Sequence, residues 1–465
     1  MTGREGTAEG SADSGAGTRI FSATWVLPIV SGPIHKGAVA VAGDKIIQVG
    51  TLNALTEAYP GAEVTDFHHA IITPGFVNCH SHLEYAVFRG LLDNKNFGPW
   101  ILEIIDQKAK LSRADYEVSS LLGASECVSS GVTTVGESMY SGASLAAMRQ
   151  AGLRARAYQE ALGLDDNKID ETISMLTDSL DELEEESGEL IEIGIFPHAT
   201  YTVSASLYRA IAELGRQRGM KIATHLAESK EESVYIRSGS GVLALDLREK
   251  VGWDYLSHEP FGVTPIKYLQ QWNVYSSDFM AVHCVHAGPA DIEALARYDV
   301  AIAHCPKSNA KLGCGIAPLP AFLRAGIRVG FGTDSPASSN IMDMFGEMRT
   351  AIFLHRGSER DVNVLSAAEC VRMATLGGAR ALGLEDRIGS LEPGKQADFI
   401  AVDTEYSHFT PIHDPYSALV YGANQEDVFF TMVAGRPLYT RKVLLTLDDE
   451  KITADAMEAK EKLWR

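Results

Sequence analysis

Short apolar runs alternate with amphipathic segments through the middle of the chain. The amphipathic segments, such as residues 205–218 and 289–297, repeat their apolar positions at helical spacing. Strand-length runs separated by helices are typical of parallel βα units, and eight units predict an α/β fold, a closed (β/α)8 barrel of the TIM type over residues 73–389. The eight predicted strands end near Cys79, Gly136, Glu160, Phe196, Thr224, Val282, Ala303 and Gly332.

The two ends of the chain carry short β-like runs broken by turn residues. These runs cover residues 20–28, 37–42 and 45–49 near the start, and 398–402, 428–433 and 436–439 near the end. Neither set can bury a core alone. We therefore expect residues 18–72 and 390–465 to combine into one small β-sandwich domain.

Charge, apolar segments and cysteine spacing argue against several classes of protein. The chain has 465 residues and a formal net charge of −20, which argues against a nucleic-acid partner because phosphate binding needs a basic surface. No apolar stretch is long enough to cross a membrane, and the six cysteines form no Cys-x-x-Cys pair, so we expect a cytoplasmic protein with free thiols. Residues 1–17 lack the apolar core of a signal peptide and are predicted to be a disordered tail.

Candidate metal ligands stand at the ends of three predicted strands. His80 and His82 are two residues apart, so an extended backbone points both imidazoles to the same face. His225 ends the fifth strand and Asp334 follows the eighth. Active sites of such barrels lie at the carboxyl ends of the strands. Three histidines and a carboxylate suit one divalent ion, Zn²⁺ first and Fe²⁺ as the alternative, with a position left for water.

Proton transfer needs further groups beside the metal. Glu228 lies three residues beyond His225, His283 ends the sixth strand, and Asp334 can both bind metal and accept a proton from water. In two-metal barrel hydrolases, a lysine at the end of a central strand commonly bridges the two ions. The third predicted strand ends at Glu160 and the fourth next to His198, and neither end has a lysine, so a second ion is not expected. His82-Leu83-Glu84 imitates the H-x-E of cytidine-type deaminases, but the Pro-Cys-x-x-Cys of those proteins is missing.

Taken together, the motifs resemble those of the amidohydrolase superfamily, and within it the deaminase branch, over about residues 18–440. The resemblance implies that His80, His82, His225 and Asp334 bind the metal and that Glu228, His283 and Asp334 move protons. A triazine or cyclic amide hydrolase, and a barrel without chemistry, are the alternatives to a deaminase. The motifs are PGFVNCHSH (74–82), PHATYTVS (197–204), THLAES (224–229), HCVH (283–286), HCPKSNAKLGCGIAP (304–318), GTDSPASSN (332–340) and GSLEPGKQAD (389–398).

The substrate class follows from the same resemblance. The chain is similar to deaminases of adenine nucleosides, in which the positions of His198 and Trp100 line the nucleoside pocket. Glu84 and the Phe97 to Trp100 spacing resemble aminodeoxyfutalosine deaminases of menaquinone biosynthesis, and Ala109 stands where homocysteine-nucleoside deaminases carry a ribose-binding acid. We therefore expect 6-amino-6-deoxyfutalosine as the substrate, with S-adenosylhomocysteine, methylthioadenosine or adenosine as alternatives.

Simpler interpretations of two of these residues remain open. Trp100 can be a core aromatic, since large aromatic side chains mostly pack. Glu84 can pair with Arg89, since buried acids are commonly paired. A homodimer is only the general expectation for a protein of this kind.

Overall fold

The structure, a computed structural model, describes residues 17–463. The predicted tail therefore lies outside the described residues except for Gly17. The strands are β1 Thr18–Val26, β2 Ile34–Ala42, β3 Lys45–Thr51, β4 Glu63–Asp66, β5 Ala70–Pro74, β6 Phe76–Ser81, β7 Val132–Met139, β8 Arg154–Ala161, β9 Ile191–Pro197, β10 Ile222–Leu226, β11 Phe279–His283, β12 Ala301–His304, β13 Val329–Phe331, β14 Phe399–Asp403, β15 Val428–Val433, β16 Arg436–Thr440 and β17 Val443–Leu444.

The helices include the two segments predicted from periodicity, which are α6 and α10. They are α1 Leu52–Ala58, α2 Phe97–Lys108, α3 Arg113–Ser129, α4 Ser144–Ala151, α5 Ile169–Ser187, α6 Ala205–Arg218, α7 Lys230–Ser238, α8 Asp246–Lys250, α9 Pro265–Gln271, α10 Pro289–Arg297, α11 Pro306–Lys311, α12 Leu319–Arg324, α13 Pro336–Ser339, α14 Met344–Glu359, α15 Ala367–Arg372, α16 Gly378–Leu382, α17 Pro415–Ser417 and α18 Asp449–Leu463. Short 3-10 turns cover Leu83–Phe88, Asp166–Lys168, Val362–Val364, Ser407–Phe409 and Gln425–Asp427, and π-helical turns cover Met373–Gly377 and Ala418–Gly422.

Strands β6 to β13 form a parallel sheet in sequence order. A parallel bridge between Ser81 and Asp334 links the first strand to the end of the eighth, and the Asp334 amide donates to the His80 carbonyl at 3.0 Å. The sheet is therefore a closed barrel, and the predicted (β/α)8 fold is confirmed. Each predicted strand end falls within or next to one of these strands.

The barrel interior divides into an apolar part and a polar end. Buried Val77, Tyr158, Phe196, Met280 and Val282 belong to one cluster contributed by several strands. Strands covered on both faces must be apolar nearly throughout, which explains their continuous apolar runs. The polar residues are left for the carboxyl ends of the strands, where the barrel opens.

Both chain ends join one mixed sheet of nine strands in the order β17-β16-β15-β14-β5-β1-β2-β3, with β4 beside β1. Antiparallel pairing of β5 with β14 connects the two ends, and the Ile46 amide donates to the Lys395 carbonyl at 2.9 Å. The rings of Phe21, Phe399 and Phe430 pack inside. A β-domain built from both ends is thus confirmed, although its strands form a single hydrogen-bonded sheet.

The connection between this sheet and the barrel positions the first metal ligands. Strand β5 ends at Pro74 and β6 begins at Phe76, so only Gly75 separates them. A Cβ at Gly75 would lie 2.1 Å from the Thr133 side chain, so only glycine fits. No helix within residues 17–463 combines the length and apolar character needed to cross a membrane.

Candidate metal centre and catalytic site

The four predicted metal ligands meet at the carboxyl end of the barrel. His80 Nε2 lies 3.2 Å from His225 Nε2 and 3.4 Å from Asp334 Oδ1, and His82 Nε2 lies 3.6 Å from the same oxygen. Donor atoms around one tetrahedral ion with bonds of about 2.0–2.2 Å are separated by about 3.3–3.6 Å. All four residues are buried. The donor atoms of His80, His82 and Asp334 lie within 4.8 Å of one another, and His80 also belongs to a second such group with His225 and His283.

The protonation states also suit a cation. Burial, together with the neighbouring imidazoles, lowers the pKa of His82 to about 3 and the pKa of His225 well below its ordinary value. Burial alone would raise the pKa of Asp334, but its hydrogen bond with His80 and the surrounding imidazoles hold it well below its ordinary range. His82 and His225 thus favour the neutral imidazole and Asp334 the carboxylate, which are the forms that bind metal.

Neighbouring groups hold two of these ligands in place. His225 Nδ1 lies 3.0 Å from the backbone carbonyl of His198, which leaves Nε2 free for an ion. Asp334 Oδ2 accepts hydrogen bonds from Ser308 Oγ at 2.5 Å and Ser338 Oγ at 2.7 Å, so Oδ1 faces the imidazoles. The sequence reasoning missed both serines, although they lie in two of the motifs.

Several residues at the carboxyl ends of the barrel strands have a left-handed backbone conformation. Ala227, His283, Cys284 and Asp334 have φ values of +50°, +73°, +47° and +56°. Left-handed conformations of residues other than glycine cost energy and cluster at functional sites. Three strand ends (β10, β11 and β13) therefore leave the barrel through unfavourable turns that the surrounding fold maintains.

The predicted proton-transfer groups lie beside the donor set. Glu228 Oε1 is 3.7 Å from His283 Nε2, and both side chains are buried. Burial, reinforced by the charge of Asp334, raises the pKa of Glu228 well above its ordinary value, which favours the protonated carboxyl. Burial lowers the pKa of His283 to about 4. Asn309 Oδ1 lies 2.9 Å from His283 Nδ1; an amide oxygen only accepts, so His283 Nε2 carries a free lone pair.

A second buried carboxyl supports the turn that carries Glu228. Glu232 accepts hydrogen bonds from the Glu228 amide at 2.8 Å and from Thr200 Oγ1 at 2.7 Å. Burial raises the pKa of Glu232 to about 7. Thr200 lies in the PHATYTVS motif, and its hydroxyl joins the two turns.

The site opens into a cavity that contains two of the three predicted substrate-binding residues. Trp100 and His198 line it, beside the metal ligands and the proton-transfer groups. The other lining residues are Tyr85, Phe97, Ile101, Ile104, Lys108, Glu160, Tyr201 and Ser335. Sequence reasoning missed Lys108, Glu160 and Tyr85, although Glu160 is a strand-end acid in the same sense as Asp334.

Glu84, the third predicted substrate-binding residue, is not brought to the cavity. Its two carboxylate oxygens accept hydrogen bonds from the backbone amides of Ser141 at 2.8 Å and Ala143 at 2.9 Å, just before α4. It does not pair with Arg89 either, because that side chain binds Glu126. A carboxylate near a helix N-terminus stabilises unpaired amides there, so the position of Glu84 is accounted for without substrate.

Comparison with known proteins agrees with the fold and the donor set. The amidohydrolase family model matches residues 71–438, and a model of the bacterial imidazolonepropionase-like composite domain matches residues 37–62. The chain belongs to the amidohydrolase family. The predicted class of enzyme, a metal-dependent hydrolase of carbon–nitrogen bonds, is confirmed by this membership and by the grouped donor atoms.

Three relatives are informative. The chain is 35% identical over 432 residues, 92% of its length and 94% of the relative's, to the 5-methylthioadenosine/S-adenosylhomocysteine deaminase of Pelotomaculum thermopropionicum. An adenosine deaminase from Xanthomonas campestris with bound zinc superposes with a TM-score of 0.86, 29% identity and coverage of 96% and 98% of the two chains. The zinc-containing atrazine chlorohydrolase TrzN from Arthrobacter aurescens TC1 (TM-score 0.82, coverage 95% and 99%) is only 22% identical and shares the fold.

Proposed function

We propose that this protein hydrolytically deaminates adenine-type nucleosides, with methylthioadenosine and S-adenosylhomocysteine as the leading substrates. The observation that carries the proposal is the buried Glu228 carboxyl 3.7 Å from His283, beside the donor groups that share His80. Deamination of an aminopurine needs an acid for the ring nitrogen, and Glu228 lies in the cavity with its pKa raised well above the ordinary value. The 35% identity to a methylthioadenosine/S-adenosylhomocysteine deaminase supports this substrate class.

His80, His82, His225 and Asp334 would hold one divalent ion, and zinc fits the three-imidazole and carboxylate set. When bound, such an ion supplies Lewis acidity that makes water a nucleophile near neutral pH. The chain's own groups then manage the protons. His283 Nε2 and Asp334 orient the attacking water and take its proton, and Glu228 gives its proton to the ring nitrogen next to the attacked carbon.

The products follow from atom balance. Water adds to the ring carbon that bears the exocyclic amine, and the proton held by His283 and Asp334 passes to that amine as the carbon–nitrogen bond breaks. The remaining hydroxyl proton returns to Glu228 as the carbonyl forms. One aminopurine and one water thus give one oxopurine and one ammonia. No oxidant or reductant is needed.

6-Amino-6-deoxyfutalosine becomes the second candidate substrate. The case for 6-amino-6-deoxyfutalosine rested partly on Glu84, whose carboxylate is engaged by backbone amides outside the cavity. The similarity to methylthioadenosine/S-adenosylhomocysteine deaminases favours the alternative. Aminodeoxyfutalosine belongs in the substrate panel as the second candidate.

The experiment is a panel of nucleosides with zinc-loaded protein and with protein stripped by a chelator. We expect ammonia release and the adenine-to-hypoxanthine absorbance change with methylthioadenosine or S-adenosylhomocysteine, loss of activity on chelation, and recovery on adding zinc. Elemental analysis should find about one ion per chain. Turnover of triazines or cyclic amides without turnover of any adenine nucleoside would contradict the proposal.

A further inference from the structure

One wall of the cavity carries polar groups that the protein leaves without partners. Among the described residues, Glu160 Oε2, Tyr85 Oη, Trp100 Nε1 and His82 Nδ1 are buried and make no hydrogen bond. All four residues line the cavity. Buried polar atoms are normally satisfied, so a group of four facing one space indicates a polar ligand or ordered water in that space.

Lys108 extends the same wall toward the cavity mouth. Its ammonium lies 3.5 Å from the ring centre of Tyr140 and 4.8 Å from that of Tyr85. Within residues 17–463 the ammonium itself makes no hydrogen bond or ion pair, and the Glu160 and Glu84 carboxyls lie within its electrostatic range. Tyr140 is 41% exposed, which places this end of the wall near solvent. Lys108 is therefore a cation held by aromatic faces with its hydrogen-bonding capacity unused.

Glu160 lies between Lys108 and the metal ligands. Its Oε1 accepts a hydrogen bond from Ser138 at 3.0 Å and lies 3.9 Å from His82 Nδ1, while Oε2 is unpartnered. Glu160 is also within electrostatic range of the Lys108 ammonium. Glu160 therefore lies beside the predicted metal ligand His82, and Lys108 lies within electrostatic range of Glu160 and against the partly exposed Tyr140.

This arrangement matches the parts of a substituted nucleoside. The reacting base must lie at the donor atoms, the sugar is attached to the base, and any further substituent extends beyond the sugar. A carboxylate accepts hydrogen bonds from hydroxyl groups, and an ammonium binds anions. Each group on the wall thus has a complementary group at the corresponding position of such a substrate.

We propose that Lys108 binds an anionic group at the far end of the substrate and that Glu160 accepts hydrogen bonds from its sugar hydroxyls. This inference rests on the proposed nucleoside deamination and makes it more specific. The preferred substrate is then an adenine nucleoside whose substituent ends in a carboxylate, such as S-adenosylhomocysteine, rather than neutral methylthioadenosine or adenosine.

The test compares charged and neutral nucleosides in Lys108→Met, Lys108→Arg and wild-type protein. We expect Lys108→Met to raise KM for S-adenosylhomocysteine about 10- to 100-fold, the usual effect of losing one charged hydrogen bond, with kcat changed much less. For methylthioadenosine, kcat/KM should change by less than about 3-fold. Lys108→Arg should recover part of the preference. Adenosine 5′-phosphate distinguishes a carboxylate site from a general anion site, because a carboxylate-specific site would not favour it over adenosine.

Lys95→Met is the matched charge control, since Lys95 pairs with Glu103 2.6 Å away at the surface. It should leave both substrates unaffected. Equal losses for charged and neutral nucleosides in Lys108→Met would overturn the proposal, because they would indicate a structural role. Glu160→Gln is expected to raise KM for both nucleosides and to weaken the discrimination against 2′- and 3′-deoxy analogues.

Binding measured by calorimetry in the Glu228→Gln background separates this proposal from the proposed function. That protein should bind nucleosides without converting them. If the wild type deaminates no adenine nucleoside, the proposed function fails, and a selective loss of S-adenosylhomocysteine binding in Lys108→Met would still support the anion site. Absence of any difference in affinity between charged and neutral ligands in the Lys108-containing protein would overturn it.

Discussion

The cavity has two walls that differ in how their polar groups are satisfied. On the metal side, His225, His283 and Asp334 each have a protein partner, namely the His198 carbonyl, Asn309 and a pair of serines. Elsewhere in the lining, Glu160, Tyr85 and Trp100 keep unpartnered buried atoms, and among the predicted metal ligands His82 does so at Nδ1. The three side chains on the metal side are thus oriented by the protein itself, as the proposed catalysis requires. The other wall is completed only by what binds there.

The largest effect is expected from replacing Glu228, the acid on the metal side of the cavity. Glu228→Gln keeps the shape of the side chain but removes the proton that the ring nitrogen needs. We expect kcat to fall about 10²- to 10⁴-fold, the usual worth of a general acid, while zinc content stays the same. Ammonia release and elemental analysis on the same preparation check this.

Glu231→Gln, on the next turn and outside the lining of the cavity, is the control for Glu228→Gln. Its turnover should match that of the wild type. Unchanged turnover in Glu228→Gln would remove this residue from the mechanism and with it the main support for deamination.

A smaller effect is expected from removing the hydrogen bonds that orient Asp334 on the metal side. Ser308→Ala and Ser338→Ala each remove one hydrogen bond to Asp334 Oδ2 and leave the ligand itself in place. Partners of metal ligands are usually worth about 10- to 100-fold in metal affinity or activity. We expect each single variant to weaken zinc binding about 10-fold and the double variant to weaken it further, measured by competition with a chelator.

Ser339→Ala is the matched control, because Ser339 lies on α13 next to Ser338. Its hydroxyl donates a hydrogen bond to the Ser335 carbonyl and, among the described residues, none to Asp334. Its zinc affinity should equal that of the wild type. Equal losses in Ser338→Ala and Ser339→Ala would point to damage to α13 rather than to the orientation of Asp334.

The smallest effect concerns the stability cost of the second buried carboxyl. The folded protein keeps the Glu232 proton up to a pKa of about 7, whereas the unfolded carboxyl releases it near its ordinary pKa of 4.5. Between these pH values the folded state therefore binds more protons at Glu232 than the unfolded state does. The contribution of Glu232 to the free energy of unfolding thus decreases as pH rises from 4.5 to 7, by up to about 3 kcal/mol. Glu232→Gln should flatten this dependence in chemical denaturation between pH 4.5 and 8.

Glu231→Gln again provides the comparison, since it removes a neighbouring, half-buried carboxyl. Its stability should keep the wild-type pH dependence. An unchanged slope in Glu232→Gln would show that Glu232 is ionised in the folded protein.

Residues predicted from sequence fall mainly on the metal wall, for a physical reason. His80, His82, His225, His283 and Asp334 follow apolar strands, and the carboxyl ends of parallel strands converge at one end of a barrel. Strand periodicity and residue type were therefore enough to bring them together. Lys108 lies on a helix and Glu84 in a 3-10 turn, where no comparable rule says which side chain faces the cavity.

The sequence by itself determined the barrel, the composite β-domain and the residue types of the metal centre. Apolar periodicity and the strand-end rule are local signals that survive without coordinates. Only the tertiary structure decided which polar atoms are paired, because hydrogen bonds between residues far apart in the chain depend on packing. Glu84 and Glu160 are both buried acids near the same strands. Backbone amides satisfy the first, and the second keeps an unpartnered oxygen facing the cavity.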